Sequence, residues 1–445
     1  MRTKPITLTL LLSLVALTIF AQEKKTLTLN EAIDLSIQNS KLLKSNQAKI
    51  EEATAVWKEA VEKKLPDAKV SGSYLRLNSA NFDLKTKDNS GGSGGGSSEE
   101  SPKVNQAVYG LLNVSLPIYS GGRIRYGIES SKFLEQAAKL DAQDDKDEVI
   151  QNAIEAFANL FKANTAVKLV KENLLQAQQR TKDLSNLEKN GLLARNDLLK
   201  AELQSSNTEL SLLDAENNWQ LANINMDLML GLPTTTELVL DTSGVERKND
   251  SRVLDDYLQA ALTNRKDIAA TDYRKKAAEA GVKASKGELY PSLALTGGYI
   301  AADIPHVFSV TNAVNIGVGV SYNIGSLWKN KSKVQQAEAK VKQLVISESM
   351  MDDNIRLQVN KSYLNLLSSR KKIEVYAKAV EQAQENYRIV KNKFDNSLAT
   401  TTDLLDADVA QLQSRLSYTL ARADAFVAYN KLLQIAGILS TDLKK

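Results

Sequence analysis

Apolar side chains recur every seven residues through the longest uninterrupted segment of the chain. Residues 125–189 contain no proline and only one glycine. One apolar series steps through Ala153, Leu160, Val167 and Leu174, and a second, richer in small residues, steps through Ala156, Ala163, Val170, Ala177 and Leu184. The pattern predicts one long helix that packs closely against its neighbours. At about 1.5 Å per residue, this helix would be roughly 100 Å long.

Four segments with alternating apolar and polar residues predict two β-hairpins. The predicted strands cover residues 69–77, 104–118, 293–301 and 314–324. In the last strand, valine and isoleucine alternate with glycine, serine and asparagine, which is typical of a wall between lipid and water. A soluble hairpin with one buried face is the alternative. Because a bilayer admits no open strand edge, four membrane strands would require several copies to share one sheet.

The same order of elements occurs twice. Each copy reads as a helix, a hairpin, a very long helix, a turn and a returning helix. Asn39 and Pro66 recur 225 residues later as Asn264 and Pro291, whereas Gly231 recurs only 206 residues later as Gly437. The first copy is therefore longer than the second, and the additional residues fall within its hairpin, in a Gly/Ser-rich loop. The first helix of copy one is predicted at 27–62, and a connector at 232–252 carries a short strand at 237–240.

One turn in each copy is a candidate functional site. They begin at Asn190 and at Asn396, and each leads into a new helix. Asn196 and Thr402 are predicted to cap these helices, with Asp197 and Asp403 at the positive helix ends. Asp403 and Asp406 are three residues apart, so both carboxylates lie on one helix face. Two acids that only stabilise the helix N-terminus are the alternative interpretation.

Composition narrows the function classes. The 445-residue chain has no cysteine, one histidine (His306) and a net charge of +4, so a metal site, a catalytic triad and a polyanion partner such as nucleic acid are poorly supported. Arg2 and Lys4 precede an apolar run that ends near Ala21, which indicates a signal peptide over residues 1–21. No constellation of residues predicts an enzyme, a cofactor or a bound metal.

Taken together, the signal peptide, the tandem repeat and the acidic DLLDA stretch after the second turn resemble the TolC-type outer membrane efflux proteins. The resemblance covers essentially the whole mature chain. It implies a mainly α fold with β-structure, in which each protomer of a trimer contributes to a periplasmic α-helical tunnel. Four strands per chain would continue the wall as a shared 12-stranded transmembrane β-barrel in the Gram-negative outer membrane.

The resemblance also implies partners and site residues. A periplasmic adaptor, an inner-membrane transporter and outer-membrane lipid would surround the homotrimer, which would conduct substrates passively in an efflux or type I secretion system. Asp403 and Asp406 match the acidic ring of the periplasmic gate. Adaptor docking is implied for the tip residues Gly191, Leu192, Leu193, Asp197, Ser397, Leu398 and Ala399. Family members carry a latching arginine where this chain has Ala399, and Arg195 or Phe394 is a candidate substitute.

The implied domain boundaries follow the two copies. They are a signal peptide (1–21), periplasmic helix 1 (22–66), hairpin 1 (67–120), tunnel helices 1 (121–231), an equatorial connector (232–252), periplasmic helix 2 (253–290), hairpin 2 (291–326), tunnel helices 2 (327–437) and a tail (438–445). The competing hypothesis is an exported coiled-coil structural or adhesive protein without a pore. That hypothesis explains the heptads but not the matched strand pairs.

Overall fold

The computed structural model describes residues 24–81, 103–241, 251–305 and 308–442. The predicted signal peptide, the Gly/Ser-rich loop and His306 lie outside these residues. Two compact units divide the chain. The first draws on Met1–Gln47, Leu140–Ile268 and Ser349–Lys445, and the second on Ala48–Lys139 and Ala269–Glu348.

Helices dominate both copies of the repeat. They are α1 (Leu29–Asn39), α2 (Lys41–Glu62), α3 (Arg123–Lys189), α4 (Arg195–Leu230), α5 (Leu254–Asn264), α6 (Lys266–Lys286), α7 (Ser326–Asp395), α8 (Thr401–Ile435) and α9 (Leu439–Asp442). The strands are β1 (Lys24–Thr28), β2 (Asp67–Asn81), β3 (Lys103–Tyr119), β4 (Glu237–Asp241), β5 (Ser292–Ile304) and β6 (Phe308–Ser321). The predicted long helices, hairpins and connector strand are confirmed.

The strands predicted at 69–77 and 293–301 are longer than predicted, and two other predicted elements differ more. The helix predicted at 27–62 is divided at Ser40, whose backbone leaves the helical region at ψ 118°, and β1 occupies the residues before α1. The Ser40 hydroxyl accepts a hydrogen bond from the Leu43 amide at 3.2 Å, which starts α2. The strand predicted at 314–324 begins earlier and ends at Ser321. It ends there because the Asn323 carbonyl accepts from Ser326 and turns the chain into α7.

The second unit contains a four-stranded antiparallel sheet in the order β2-β3-β5-β6. One face of β6 presents four apolar side chains to the exterior, between 62% and 83% exposed: Val314, Ile316, Val318 and Val320. The intervening positions are Asn315, Gly317 and Gly319. The sheet therefore has an exposed apolar surface along β6, which an isolated soluble protein would normally bury.

The first unit is built on the predicted heptad seams. Ala153 and Leu160 are fully buried, and Ala156, Val170, Ala177 and Leu184 of the second series are each no more than 5% exposed. Small side chains at these positions let helices approach closely. In the same unit, β1 pairs in parallel with β4 and fixes the connector after the first copy.

None of the described helices combines the length and apolar character needed to cross a membrane.

Candidate functional site

The turn after α3 closes with two backbone hydrogen bonds around Gly191. The Leu192 amide donates to the Leu187 carbonyl at 2.9 Å, and the Gly191 amide donates to the Glu188 carbonyl at 2.9 Å. Gly191 has φ +71°, which glycine adopts without the steric cost that a Cβ imposes. This pattern satisfies the last carbonyls of α3 and stops the helix sharply.

The turn after α7 has the same geometry with a different residue at its centre. The Leu398 amide donates to the Lys393 carbonyl at 2.7 Å, and the Ser397 amide donates to the Phe394 carbonyl at 2.9 Å. Ser397 has φ +60°, a conformation that costs a residue with a Cβ roughly 1–2 kcal/mol. The two turns, called here the first tip (residues 190–200) and the second tip (residues 396–406), therefore share one backbone shape.

The residues that begin the following helices differ from the prediction. Thr400, not Thr402, caps α8. Its hydroxyl accepts from the Asp403 amide at 3.1 Å, and its own amide donates to the Asp403 carboxylate at 2.9 Å. Ala194, not Asn196, occupies the cap position of α4 and offers no side-chain hydrogen bond. The predicted caps were wrong because both helices begin two residues earlier than expected.

Asp403 and Asp406 are both exposed on α8 but differ in their hydrogen bonds. The Asp403 carboxylate is engaged by Thr400, whose hydroxyl also donates to it at 2.7 Å. The side-chain and then the backbone hydrogen bond of Thr400 lower the pKa of Asp403 below its ordinary value. Asp406 is likewise exposed, so both carboxylates can face an aqueous ion.

In the first tip, a lysine stands where the second tip has Asp406. The Lys200 ammonium lies 3.3 Å from the Asp197 carboxylate and donates to the Thr402 hydroxyl at 3.2 Å. It neutralises Asp197 and joins the two tips directly. Arg195 lies 3.8 Å from Glu188, near the end of α3. Phe394, near the end of α7, packs on a small apolar cluster drawn from α3, α4 and α8, formed by Leu184, Leu198, Ala201 and Leu405.

The remaining predicted site residues lie on the outer surface of the tips. Leu192 is 74% exposed and Leu398 is 76% exposed, although leucine normally avoids water. Gly191 and Ser397 are also exposed, and Leu193 and Ala399 are half-buried. Two matched apolar side chains thus project from equivalent positions, 206 residues apart.

A buried charged network behind the second tip was not predicted. Asp408 on α8 is 1% exposed, and its Oδ2 accepts from Arg180 at 3.0 Å and from Asn173 at 3.1 Å, both on α3. Arg180 also donates to the Tyr387 hydroxyl on α7 at 3.3 Å. Burial alone would lower the pKa of Arg180, but the hydrogen bond and charge of Asp408 outweigh it and raise that pKa. The network therefore ties three helices together.

One sequence signal could have indicated this network. Asp408 follows buried Thr401 by seven residues and Leu404 by four, so it lies in phase with the buried face of α8. A charged residue in phase with a buried face requires a partner of opposite charge.

Comparison with known proteins identifies the class. The chain matches the outer membrane efflux protein family over residues 32–232 and 257–438 and belongs to that family. It is 22% identical to the outer membrane efflux protein BepC of Brucella suis biovar 1 (strain 1330) over 350 residues, which covers 77% of this chain and 75% of BepC.

Two solved structures share the fold. The outer membrane protein VceC of Vibrio cholerae superposes with a TM-score of 0.73 at 19% identity, covering 92% of this chain and 96% of VceC. The outer membrane channel CmeC of Campylobacter jejuni superposes with a TM-score of 0.74 at 17% identity, covering 94% of this chain and 88% of CmeC.

Family membership gives the general function and location. The chain is an outer-membrane exit duct of an efflux system, with a part that extends into the periplasm. It works as a homotrimer with an adaptor protein and an inner-membrane transporter. The hypothesis of a pore-free coiled-coil scaffold is therefore set aside.

Proposed function

We propose that the two tips form the periplasmic entrance of the duct, where the second tip carries the ion-selective gate and both tips dock the adaptor. The observation that supports the gate most directly is the exposure of both Asp403 and Asp406 on one face of α8. In a trimer, these side chains would form two stacked rings of three carboxylates. Such rings attract cations and make a neck cation-selective.

Adaptor docking is supported by the two projecting leucines. Leu192 and Leu398 are presented by turns of the same shape, so a partner with a repeated apolar pocket could engage both. Gly191, Leu193 and Asp197 in the first tip and Ser397 and Ala399 in the second tip shape these turns. An exposed leucine that fills a partner's pocket is a typical anchor of a protein interface.

Closure of the trimer is supported by two features of the single chain. The outer edges of β2 and β6 end the sheet, so β6 of one copy can pair with β2 of the next. Exposed apolar side chains also form a stripe on α4, consisting of Leu199, Leu203, Leu210, Leu213, Leu221 and Leu228, and another on α7, consisting of Ile346, Met350, Leu357, Leu364 and Leu367. Contact between the α4 stripe of one copy and the α7 stripe of another would bury both.

The domain assignment follows from this proposal. Hairpins 67–120 and 291–326 would share the outer-membrane wall, helices 121–231 and 327–437 would line the tunnel, and residues 22–66, 232–252 and 253–290 would surround it. The transport is passive, and the chain performs no chemistry of its own.

Single-channel recording of the reconstituted chain tests the gate. We expect the double variant Asp403→Ala with Asp406→Ala to shift the reversal potential in a salt gradient toward the non-selective value. Because Asp403 also completes the cap of α8, Thr400→Ala is the matched control, since it disturbs the cap and retains both carboxylates. Asp406→Asn removes one carboxylate without disturbing the cap and should give an intermediate shift. Unchanged reversal potentials in both aspartate variants would remove the gate assignment.

A further inference from the structure

A cavity in the second unit lies where the strands give way to the helices. Its volume is about 520 Å³, and it is lined by the end of β3, the start of β5, the first turns of α3 and the segment that ends α2. Cavities of this size accommodate small organic ligands. It is distinct from the tips, which belong to the first unit.

The lining carries positive charge without a compensating carboxylate. Lys63 and Arg123 line the cavity together with the hydroxyl-bearing residues Ser120 and Ser131, and none of the lining residues is acidic. Lys63 lies 3.5 Å from Glu59, but both side chains are more than 60% exposed, so this pair is weak and exchangeable. The cavity therefore has the electrostatic character of an anion site.

Arg123 is held in position for such a role. Its Nε donates to the Ser120 carbonyl at 3.1 Å, and no hydrogen bond from its two terminal nitrogens is found among the described residues. These nitrogens are the donors with which an arginine binds a phosphate in a fork. A fixed guanidinium with free terminal nitrogens loses little entropy when it binds an anion.

The other side of the cavity is apolar and belongs to the exposed face of the sheet. Leu293 pairs across the sheet with Val320 and with Tyr119, and paired residues of antiparallel strands lie on the same face. Val320 is the last of the exposed apolar residues of β6 and is 70% exposed. The cavity thus lies at the end of the exposed apolar series of β6, where a membrane wall would meet the headgroups.

Exposed aromatic residues lie at the same end of the sheet. Tyr119 is 49% exposed and Tyr290, two residues before β5, is 58% exposed. Exposed tyrosines are characteristic of the boundary between hydrocarbon and water. Apolar lining residues, exposed tyrosines and the cations Lys63 and Arg123 therefore occur together at this end of the sheet.

We propose that this cavity binds the phosphate headgroup of an anionic phospholipid, with Lys63 and Arg123 on the phosphate and Leu293 and Tyr119 beside the acyl chains. The proposal rests on the placement of the sheet in the outer membrane. An anionic lipid is favoured over a zwitterionic one because the lining offers no carboxylate for an ammonium group.

A groove in the first unit also contains lysines, but unlike the cavity it also contains carboxylates. Lys162, Lys372 and Lys431 line it together with Glu155 and Asp424. Lys162 lies 3.0 Å from Asp424, so the charge of the groove is largely balanced internally.

Native mass spectrometry of the detergent-solubilised full chain tests the proposal. The protein is titrated in separate arms with phosphatidylglycerol, with phosphatidylcholine and with inorganic phosphate. We expect retained phosphatidylglycerol, weaker retention of phosphatidylcholine and no competition by millimolar inorganic phosphate. The double variant Lys63→Gln with Arg123→Gln should lose at least tenfold in phosphatidylglycerol affinity. Lys340→Gln with Lys342→Gln, which removes two exposed charges elsewhere in the same unit, should not change it.

Two further measurements separate the possible failures. Arg123→Lys retains the charge but loses the fork, so it should bind phosphatidylglycerol more weakly than the wild type and more tightly than Arg123→Gln, which distinguishes a charge effect from a folding defect. Conductance in planar bilayers reports the duct itself, so a wild-type chain that forms pores but binds the lipid no better than the double variant overturns only the lipid site. Binding of inorganic phosphate alone with equal affinity would show a free-phosphate site and would also overturn the proposal.

Discussion

The first and second tips have the same backbone but stabilise it by different means. The first tip has glycine at the left-handed position and no side-chain cap, whereas the second has serine there and a reciprocal cap between Thr400 and Asp403. The first tip neutralises its acid with Lys200, whereas the second leaves Asp406 exposed. Behind them, Asp408 forms a buried ion pair, whereas the matching Glu202 is half-buried and has no ion pair with a described residue.

This difference shows how a duplicated element can specialise without changing shape. Backbone hydrogen bonds are common to both tips, and so is the aspartate at the third helical position, whereas the cap residue and the sixth helical residue, Lys200 or Asp406, differ. The second tip carries two carboxylates, one of which is held by local hydrogen bonds. The first tip carries a cation that links the two tips. Each contrast can be tested by exchanging the residues concerned.

The largest effect is expected from the buried ion pair. Arg180→Ala leaves Asp408 buried with only Asn173 as a donor, which should cost roughly 3–5 kcal/mol of unfolding free energy. Chemical denaturation in detergent measures this change. Lys162→Met is the matched control, because Lys162 also joins α3 to α8 but its partner Asp424 is 56% exposed, so its loss should cost under about 1 kcal/mol. Equal losses in the two variants would contradict the role of burial.

The left-handed residues should respond in opposite directions. Gly191→Ala places a Cβ at a positive φ and should cost roughly 1–2 kcal/mol, whereas Ser397→Gly relieves that strain and should stabilise the second tip by a smaller amount. Hydrogen exchange of the Leu192 and Leu398 amides reports each turn separately. Changes of the same sign would show that the two turns do not share the proposed geometry.

The caps should also respond asymmetrically. Thr400→Ala removes the side-chain cap of α8 and should cost about 1 kcal/mol, whereas Ala194→Thr supplies the missing cap of α4 and should stabilise that helix by up to a similar amount. Thermal unfolding followed by circular dichroism measures both. Asn196→Ala serves as the control and should change stability by less than about 0.5 kcal/mol. A larger loss would restore Asn196 as the cap.

The smallest effect concerns pH. Because hydrogen bonds from Thr400 lower the folded-state pKa of Asp403 below the ordinary 3.8, ionised Asp403 stabilises the fold above that value, and this contribution is lost as the pH falls through the lowered pKa. The difference in melting temperature between the wild type and Asp403→Asn should therefore narrow from pH 7 to pH 3. A difference that does not change with pH would mean that charge is not involved.

The sequence predicted the elements that periodicity encodes. The uninterrupted heptads predicted the long helix α3. The repeat, with its spacings of 225 and 206 residues, predicted the positions of both hairpins and both tips. Ser40 was missed because neither glycine nor proline marks the break, which depends on packing. The cap of α8 was misplaced by two residues because Thr400 and Thr402 are equally good caps by composition. The cap of α4 was misplaced because Ala194 has no side chain that signals a cap. Asp408 could not be paired from local pattern, since Arg180 lies 228 residues away.

The strand order has a genetic consequence. In the proposed trimer, β2 and β6 are opposite edges of the sheet, so each copy would contact its two neighbours through different surfaces. A copy with a damaged β6 edge could still pair through an intact β2 edge and occupy a place in the ring without allowing it to close. Such an allele would be dominant, because co-expressed normal chains would be withdrawn into defective rings. An allele damaged at both edges would be excluded from assembly and recessive.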